Sequence, residues 1–211
     1  MEEYISFLES KRALHCDSGF DCGSLNANLF PFQEFVVRRA LKSGRYAIFA
    51  DCGLGKTLMQ LVWAHEVVSH TNMPVLILCP LAVAGQTICE GKKFGIEVVK
   101  LLPEMYAMEQ LPDNVYICNY EQLDNIIPET FAGIVLDESS ILKNFEGAIR
   151  TQIIEGFANT PYKLACTATP SPNDPMELGN HSEFLNVMPR NEMLAMYFVH
   201  DGGETAKWRL K

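Results

Sequence analysis

Ala50-Asp51-Cys52-Gly53-Leu54-Gly55-Lys56-Thr57 is the stretch on which the fold turns. It follows the phosphate-binding loop pattern, ending in Gly-Lys-Thr, with Ala50 in the place of the usual first glycine. A glycine-rich turn lets successive backbone N–H groups curl round a phosphate, and the N-terminus of a following helix adds partial positive charge there. In that arrangement the backbone of Gly53, Leu54 and Gly55 cradles the phosphates of ATP. Lys56 pairs with the β- and γ-phosphates, and the Thr57 hydroxyl holds Mg²⁺.

The pattern needs a strand in front and a helix behind. Tyr46-Ala47-Ile48-Phe49 is a short apolar run suited to a buried strand, and Leu58, Leu61, Val62, His65 and Val68 fall on one helical stripe. A glycine turn that merely happened to precede Lys-Thr would lack one flank or the other.

Upstream, Phe30-Pro31-Phe32-Gln33-Glu34-Phe35 predicts a helix start, because proline is tolerated in a first turn. Phe32, Phe35, Val36 and Ala40 then recur on one face, and Gly44 ends the helix. Gln33 reads either as an exposed polar residue of an early turn or as an amide that donates and accepts toward adenine, given the loop just downstream. Further on, the continuous run Pro74 to Pro80 suits the middle of a parallel sheet. Strand-like runs recur at Ile96 to Leu101, Asn114 to Cys118, Ile134 to Leu136 and Lys163 to Cys166. That alternation predicts an α/β fold, a mostly parallel sheet with helices on both faces.

Gly133-Ile134-Val135-Leu136-Asp137-Glu138-Ser139-Ser140 delivers two adjacent carboxylates at the C-terminal end of a strand, the edge where open α/β sheets bind ligands. An isolated Asp-Glu pair there would simply start a loop. About 80 residues after Lys56, it suits Mg·ATP chemistry: Asp137 as metal holder, and Glu138 to orient and deprotonate an attacking water. Cys166-Thr167-Ala168-Thr169-Pro170 follows the last strand; alone it is a Thr-Pro turn, but the Thr167 and Thr169 hydroxyls stand where they could couple to Asp137 or Glu138.

The 211 residues, 48% hydrophobic and 20% charged, are ordinary for one large globular domain. No apolar run reaches membrane-spanning length and Met1-Glu2-Glu3-Tyr4 is acidic, so no membrane partner and a cytoplasmic address are expected. Seven scattered cysteines, with Cys52, Cys79, Cys118 and Cys166 in or beside predicted strands, read as small core residues of a reducing compartment. His15, Cys16 and Cys22 lack a second Cys/His pair at zinc spacing. A formal net charge of −9 means that any nucleic-acid contact must be local.

Taken together, Gln33, Ala50 to Thr57, Asp137-Glu138-Ser139-Ser140 and Thr167-Ala168-Thr169 resemble the Q motif and motifs I, II and III of superfamily-two helicases. The match is closest to the Swi/Snf-like ATPases, particularly the versions carried by bacteriophages. Cys79-Pro80-Leu81-Ala82 resembles motif Ia, Cys118-Asn119-Tyr120-Glu121 motif Ib, and Ser139 to Asn144 the continuation of motif II. The resemblance implies a RecA-like P-loop NTPase lobe over residues 29–190, behind an N-terminal arm over 1–28. It also implies a motor on duplex DNA, whose backbone Pro80, Leu81, Asn119 and Tyr120 would touch.

Ser139-Ser140 departs from the Ala-His or Ala-Asp of the DEAH and DEAD branches, and Asp51-Cys52 stands where the chromatin-remodelling branch commonly has Glu-Met. Family members carry a second RecA-like lobe with arginines that reach the γ-phosphate. None is in sight here, so residues 191–211 are expected to begin the connection to a missing lobe, and the chain to be slow alone. Two other readings stay open: a nucleotide-gated protein-binding adaptor, mildly favoured by the acidic balance, and a P-loop enzyme for a small molecule, in which Ser139-Ser140 and Thr167-Ala168-Thr169 have no role.

Overall fold

The apolar runs that flank the glycine-rich loop become strands of one sheet. The computed structural model describes residues 17–106, 108, 110–143, 147–200 and 208–210. Its strands are β1 (Arg45–Phe49), β2 (Val75–Cys79), β3 (Val98–Lys100), β4 (Val115–Asn119), β5 (Gly133–Asp137) and β6 (Tyr162–Thr167). They lie in the order β1-β6-β5-β2-β4-β3, every pairing parallel. β2 and β5 are buried along their whole length, which is why they read as unbroken apolar runs rather than alternating ones.

Alternate residues of these strands feed two cores. On one face Val75, Ile77, Val135, Leu164 and Cys166 pack under three helices, α1 (Pro31–Ser43), α2 (Lys56–Thr71) and α3 (Ala84–Lys93). On the other, Leu76, Leu78, Ile134, Leu136 and Ala165 meet α4 (Ala148–Gly156), α5 (Leu178–Phe184) and the 3₁₀ turn Ser139–Lys143 through Ile153, Phe157, Phe184 and Leu142. The expected two-sided α/β layering is present.

α1 starts as its sequence predicts. Pro31 opens the first turn, Gln33 Oε1 accepts the Phe30 N–H at 2.9 Å, and Gly44 closes the helix at φ 73° with its N–H on Ala40 and Leu41 carbonyls. Its buried face differs from the expected one: Val37, Ala40 and Leu41 face α2, while Phe32 is 47% and Phe35 72% exposed. Phe32 lines a cleft described below, so hydrophobicity alone assigned it to the wrong face. The stripe expected on α2 is likewise corrected, because His65 is exposed and the turn from Leu58 to Ala64 is buried all round. Cys52 is exposed on the glycine loop, not a core residue, whereas Cys79, Cys118 and Cys166 are buried as expected.

The described part of the arm packs down. Ser18, Gly19 and Phe20 N–H groups donate to the last carbonyls of α1, and Phe20 stacks on His70 with ring centroids 3.8 Å apart. At the other end α6 (Arg190–Tyr197) leads into β7 (Phe198–His200), which pairs antiparallel with β8 (Trp208–Leu210). The sequence expectations on residues 1–16, His15 and Cys16 among them, on Asn144, and on 201–207 and 211 lie outside the described residues. Among the described residues, no helix is long and apolar enough to cross a membrane.

Candidate functional site

Register brings the two chemical stretches to one edge. Cys166 of β6 lies level with Ile48 of β1 on one side and with Asp137 of β5 on the other. The glycine loop therefore leaves the sheet beside the acid pair, and the Ala50 N–H still donates to the Thr167 carbonyl. Gly53 and Gly55 hold φ 81° and 75°, left-handed values that favour glycine. At Gly55 a Cβ would also meet Gln33 Nε2 at 2.3 Å.

Lys56 is the first residue of α2, so the loop ends at a helix N-terminus. Its ammonium donates to the Ala50 carbonyl at 2.9 Å and the Asp51 carbonyl at 3.2 Å, folding the side chain across the mouth of the loop. Asp51 braces the turn by accepting the Cys52 N–H. Gln33 Nε2 donates to the Leu54 carbonyl at 2.9 Å, so this buried amide ties α1 to the loop and is not the exposed alternative.

Asp137 closes β5 at 6% exposure. Burial pushes its carboxyl above the ordinary aspartate range; the Glu138 charge adds to the rise, and the Gln60 amide and Lys56 ammonium oppose it. Glu138 follows at φ 56°, a left-handed value for a residue with a side chain. The turn is held from three sides. Tyr120 donates its hydroxyl to the Asp137 carbonyl at 2.8 Å, the Thr167 hydroxyl donates to Glu138 Oε2 at 3.4 Å, and Ser139 Oγ lies 3.0 Å from His181 Nε2 on α5. Burial lowers the His181 pKa to about 4, so the ring is neutral near pH 7.

Two clefts open on this edge. One of about 560 Å³ lies beside the glycine loop, walled by Phe30, Phe32, Gln33, Thr57 and Phe94. Its size and apolar walls suit a purine nucleoside. A second, of about 260 Å³, runs from Glu138 past Ser140 and Lys143 to Pro80 and Leu81. A third hollow, of about 320 Å³, lies at the opposite edge, between Thr71, Pro128 and Pro161, away from all these groups.

The donor set fits a hydrated divalent cation. Thr57 offers a hydroxyl and Asp137 a carboxylate, the hard oxygen donors magnesium prefers. Gln60, on α2 and 0% exposed, stands beside the Asp137 carboxyl closely enough to lower its pKa. Yet neither amide atom completes a hydrogen bond of ordinary geometry among the described residues. An orphaned buried amide costs about 1–3 kcal/mol per group, and water molecules on a cation would satisfy it.

The structure thus gathers Gln33, Gly53, Leu54, Gly55, Lys56, Thr57, Asp137, Glu138 and Thr167 at one edge. Thr169 is linked less directly: its N–H caps Thr167 Oγ1 and the residue is exposed, with no bond to either acid. Leu81 is 70% exposed and Pro80 and Asn119 are half-buried. Tyr120 is 4% exposed, with its hydroxyl on the Asp137 carbonyl, and it lines the second cleft beside Pro80 and Leu81. Sequence reading missed Gln60 and His181. Gln60 was findable, because it lies one turn beyond Lys56 on the same helical face; nothing local marks His181, 42 residues from Ser139.

The six-stranded parallel sheet with helices on both faces is an α/β fold of the RecA-like type. Among solved structures, the Sulfolobus solfataricus SWI2/SNF2 ATPase core in complex with dsDNA superposes with a TM-score of 0.71 at 24% identity, over 84% of this chain and 40% of that one. The Pyrococcus furiosus Hef helicase domain gives 0.59 at 19% identity, over 74% of this chain and 36% of its own. In sequence the chain is similar to protein p41 of Acyrthosiphon pisum secondary endosymbiont phage 1, 29% identical over 177 residues. It is also 26% identical, over 164 residues, to the SWI/SNF-related matrix-associated actin-dependent regulator of chromatin subfamily A-like protein 1 of Xenopus tropicalis. These alignments cover 74% and 73% of this chain but only 38% and 17% of the two relatives, so the chain spans well under half their length. No protein-family model matches it. In fold, the chain is like the SWI2/SNF2 ATPase core and the Hef helicase domain, and in sequence it is similar to Swi/Snf-related and phage proteins.

Proposed function

We propose that this chain is the ATP-binding first lobe of a Swi/Snf-like motor, coupling ATP hydrolysis to movement on duplex DNA when a second RecA-like lobe is present. The observation that carries this is the register that sets Lys56 and the Asp137-Glu138 pair on one sheet edge beside a cleft of nucleoside size.

Phe30 and Phe32 wall the base side of the cleft. Gln33 spends one donor and one acceptor on Leu54 and Phe30, leaving amide capacity for the edge of adenine. Lys56 exchanges two backbone carbonyls for the β- and γ-phosphates, so phosphate binding also frees the loop from its own lysine. Thr57 and Asp137 would hold Mg²⁺, which when bound neutralises charge on the phosphates. Glu138 orients the attacking water and takes its proton, and Thr167, bonded to Glu138, passes its position on to the segment after β6. An arginine supplied by a second lobe would speed turnover. Leu81, Pro80 and Asn119 are the candidates for a local contact with the DNA backbone.

Glu138→Gln tests the mechanism: Mg·ATP affinity should stay within about twofold while hydrolysis in a two-lobe assembly falls by at least ~10²-fold. Unchanged steady-state turnover would remove Glu138 as the base. The net charge of −9 favours one other reading, a nucleotide-gated adaptor that docks a protein. Duplex DNA should stimulate turnover at low salt, with the effect fading as salt rises. Turnover indifferent to DNA at every salt concentration would favour the adaptor.

A further inference from the structure

Gln60 has no place in the chemistry so far. It sits on α2 four residues after Lys56 and three after Thr57, so all three side chains share one helical face. α2 packs on β5 and β6, and the Gln60 amide lies beside the Asp137 carboxyl at the end of β5. The other buried residues from Leu58 to Val67 are apolar apart from the indole N–H of Trp63, and Gln60 itself is 0% exposed. A leucine or methionine would fill the same volume without burying an amide whose two polar atoms lack partners among the described residues. A buried polar group left unmet is a net cost to folding, so its presence calls for a partner that arrives with a ligand.

We propose that Gln60 is a positioning residue of the metal site, its amide orienting the Asp137 carboxylate and meeting the hydration shell of the divalent cation that enters with the nucleotide. This rests on the nucleotide-and-metal function proposed above. It goes beyond Thr57 and Asp137 by assigning the group behind them, the kind of partner whose loss costs metal affinity about 10- to 100-fold. The rival is structural. Trp63 lies one turn further on, and its indole N–H is also buried without a partner, so Gln60 and Trp63 could serve each other through a small shift.

The two roles separate in Gln60→Leu and Gln60→Met, with Trp63→Phe as the control. Mn²⁺ is titrated by electron paramagnetic resonance into the chain saturated with ADP or a non-hydrolysable ATP analogue, and thermal midpoints are recorded without nucleotide. The proposal predicts that both Gln60 variants melt at or above the wild-type temperature, bind metal-free nucleotide as before, and bind Mn²⁺ at least about tenfold more weakly. Trp63→Phe should leave Mn²⁺ affinity unchanged. Wild-type Mn²⁺ affinity in a folded Gln60 variant overturns the assignment, and a lowered midpoint beside it identifies the pair with Trp63. If one variant does not fold, the other carries the comparison. Failure of the wild-type chain to bind nucleotide at all would instead overturn the underlying function, and the Gln60 assignment with it.

Discussion

Gly55 carries two constraints at once. Its φ of 75° is left-handed, and a Cβ there would press on the Gln33 amide that bonds the Leu54 carbonyl. Gly55→Ala should therefore lose stability by about 2 kcal/mol, from left-handed strain plus the broken amide contact. It should also weaken ADP binding, because the loop and Gln33 shift together. Denaturant unfolding and ADP titration check both, and a variant as stable as wild type would mean that the loop relaxes freely. At this scale the contiguous candidates were readable in advance: Lys56, Thr57, Asp137 and Glu138 stand in two short local patterns, and the register brings the two patterns to one sheet edge. The contact of Tyr120 with Asp137 was not readable, because it joins residues 17 apart at two different strand ends.

α5 is the element that sequence periodicity conveys least, and it holds the 137–139 turn from behind. His181 meets Ser139, Asn180 Nδ2 donates to the Leu142 carbonyl at 2.7 Å, and Arg150 of α4 bonds both Asn180 and Glu183. At the helix's far end the buried Lys163 ammonium donates to the Phe184 carbonyl at 3.0 Å and to Asn186 Oδ1 at 2.9 Å. Seven residues are thus pinned at both ends, and their grip extends to the turn that carries Glu138. The neutral His181 makes this grip sensitive to acid. Unfolded, the imidazole takes a proton near pH 6.5; folded, only near 4, so between those values the unfolded chain binds more protons and stability falls as pH drops. His181→Gln, which keeps a hydrogen-bonding group facing Ser139, should flatten that fall, read as the wild-type-minus-variant difference in unfolding free energy from pH 7 to 4. Parallel curves would show that His181 does not titrate as described. The strands were legible to within one or two residues, because buried parallel strands are continuous apolar runs. The inward face of α1 was not, because Phe30 and Phe32 line an open cleft at the surface against the ordinary rule of burial.

For the whole molecule, the sheet order decides what can meet what. Placing β6 between β1 and β5 lets Thr167 touch both the loop, through its carbonyl, and Glu138, through its hydroxyl. Motif order along the chain foretold a parallel sheet but not this adjacency, since pairing order is a tertiary property that no local pattern encodes. The chain spans 38% and 17% of the length of the two relatives it resembles in sequence. Its central claim is that a nucleotide triphosphate and its cation seat between residues 50–57 and Asp137. Calorimetric titration of Mg·ATP into the folded chain tests this most directly, with Lys56→Ala alongside. One saturable site in the wild type, lost in the variant while its fold and melting temperature are retained, is the predicted result. Absence of binding heat in a well-folded wild-type sample across several temperatures, or equal binding by both proteins, would contradict it.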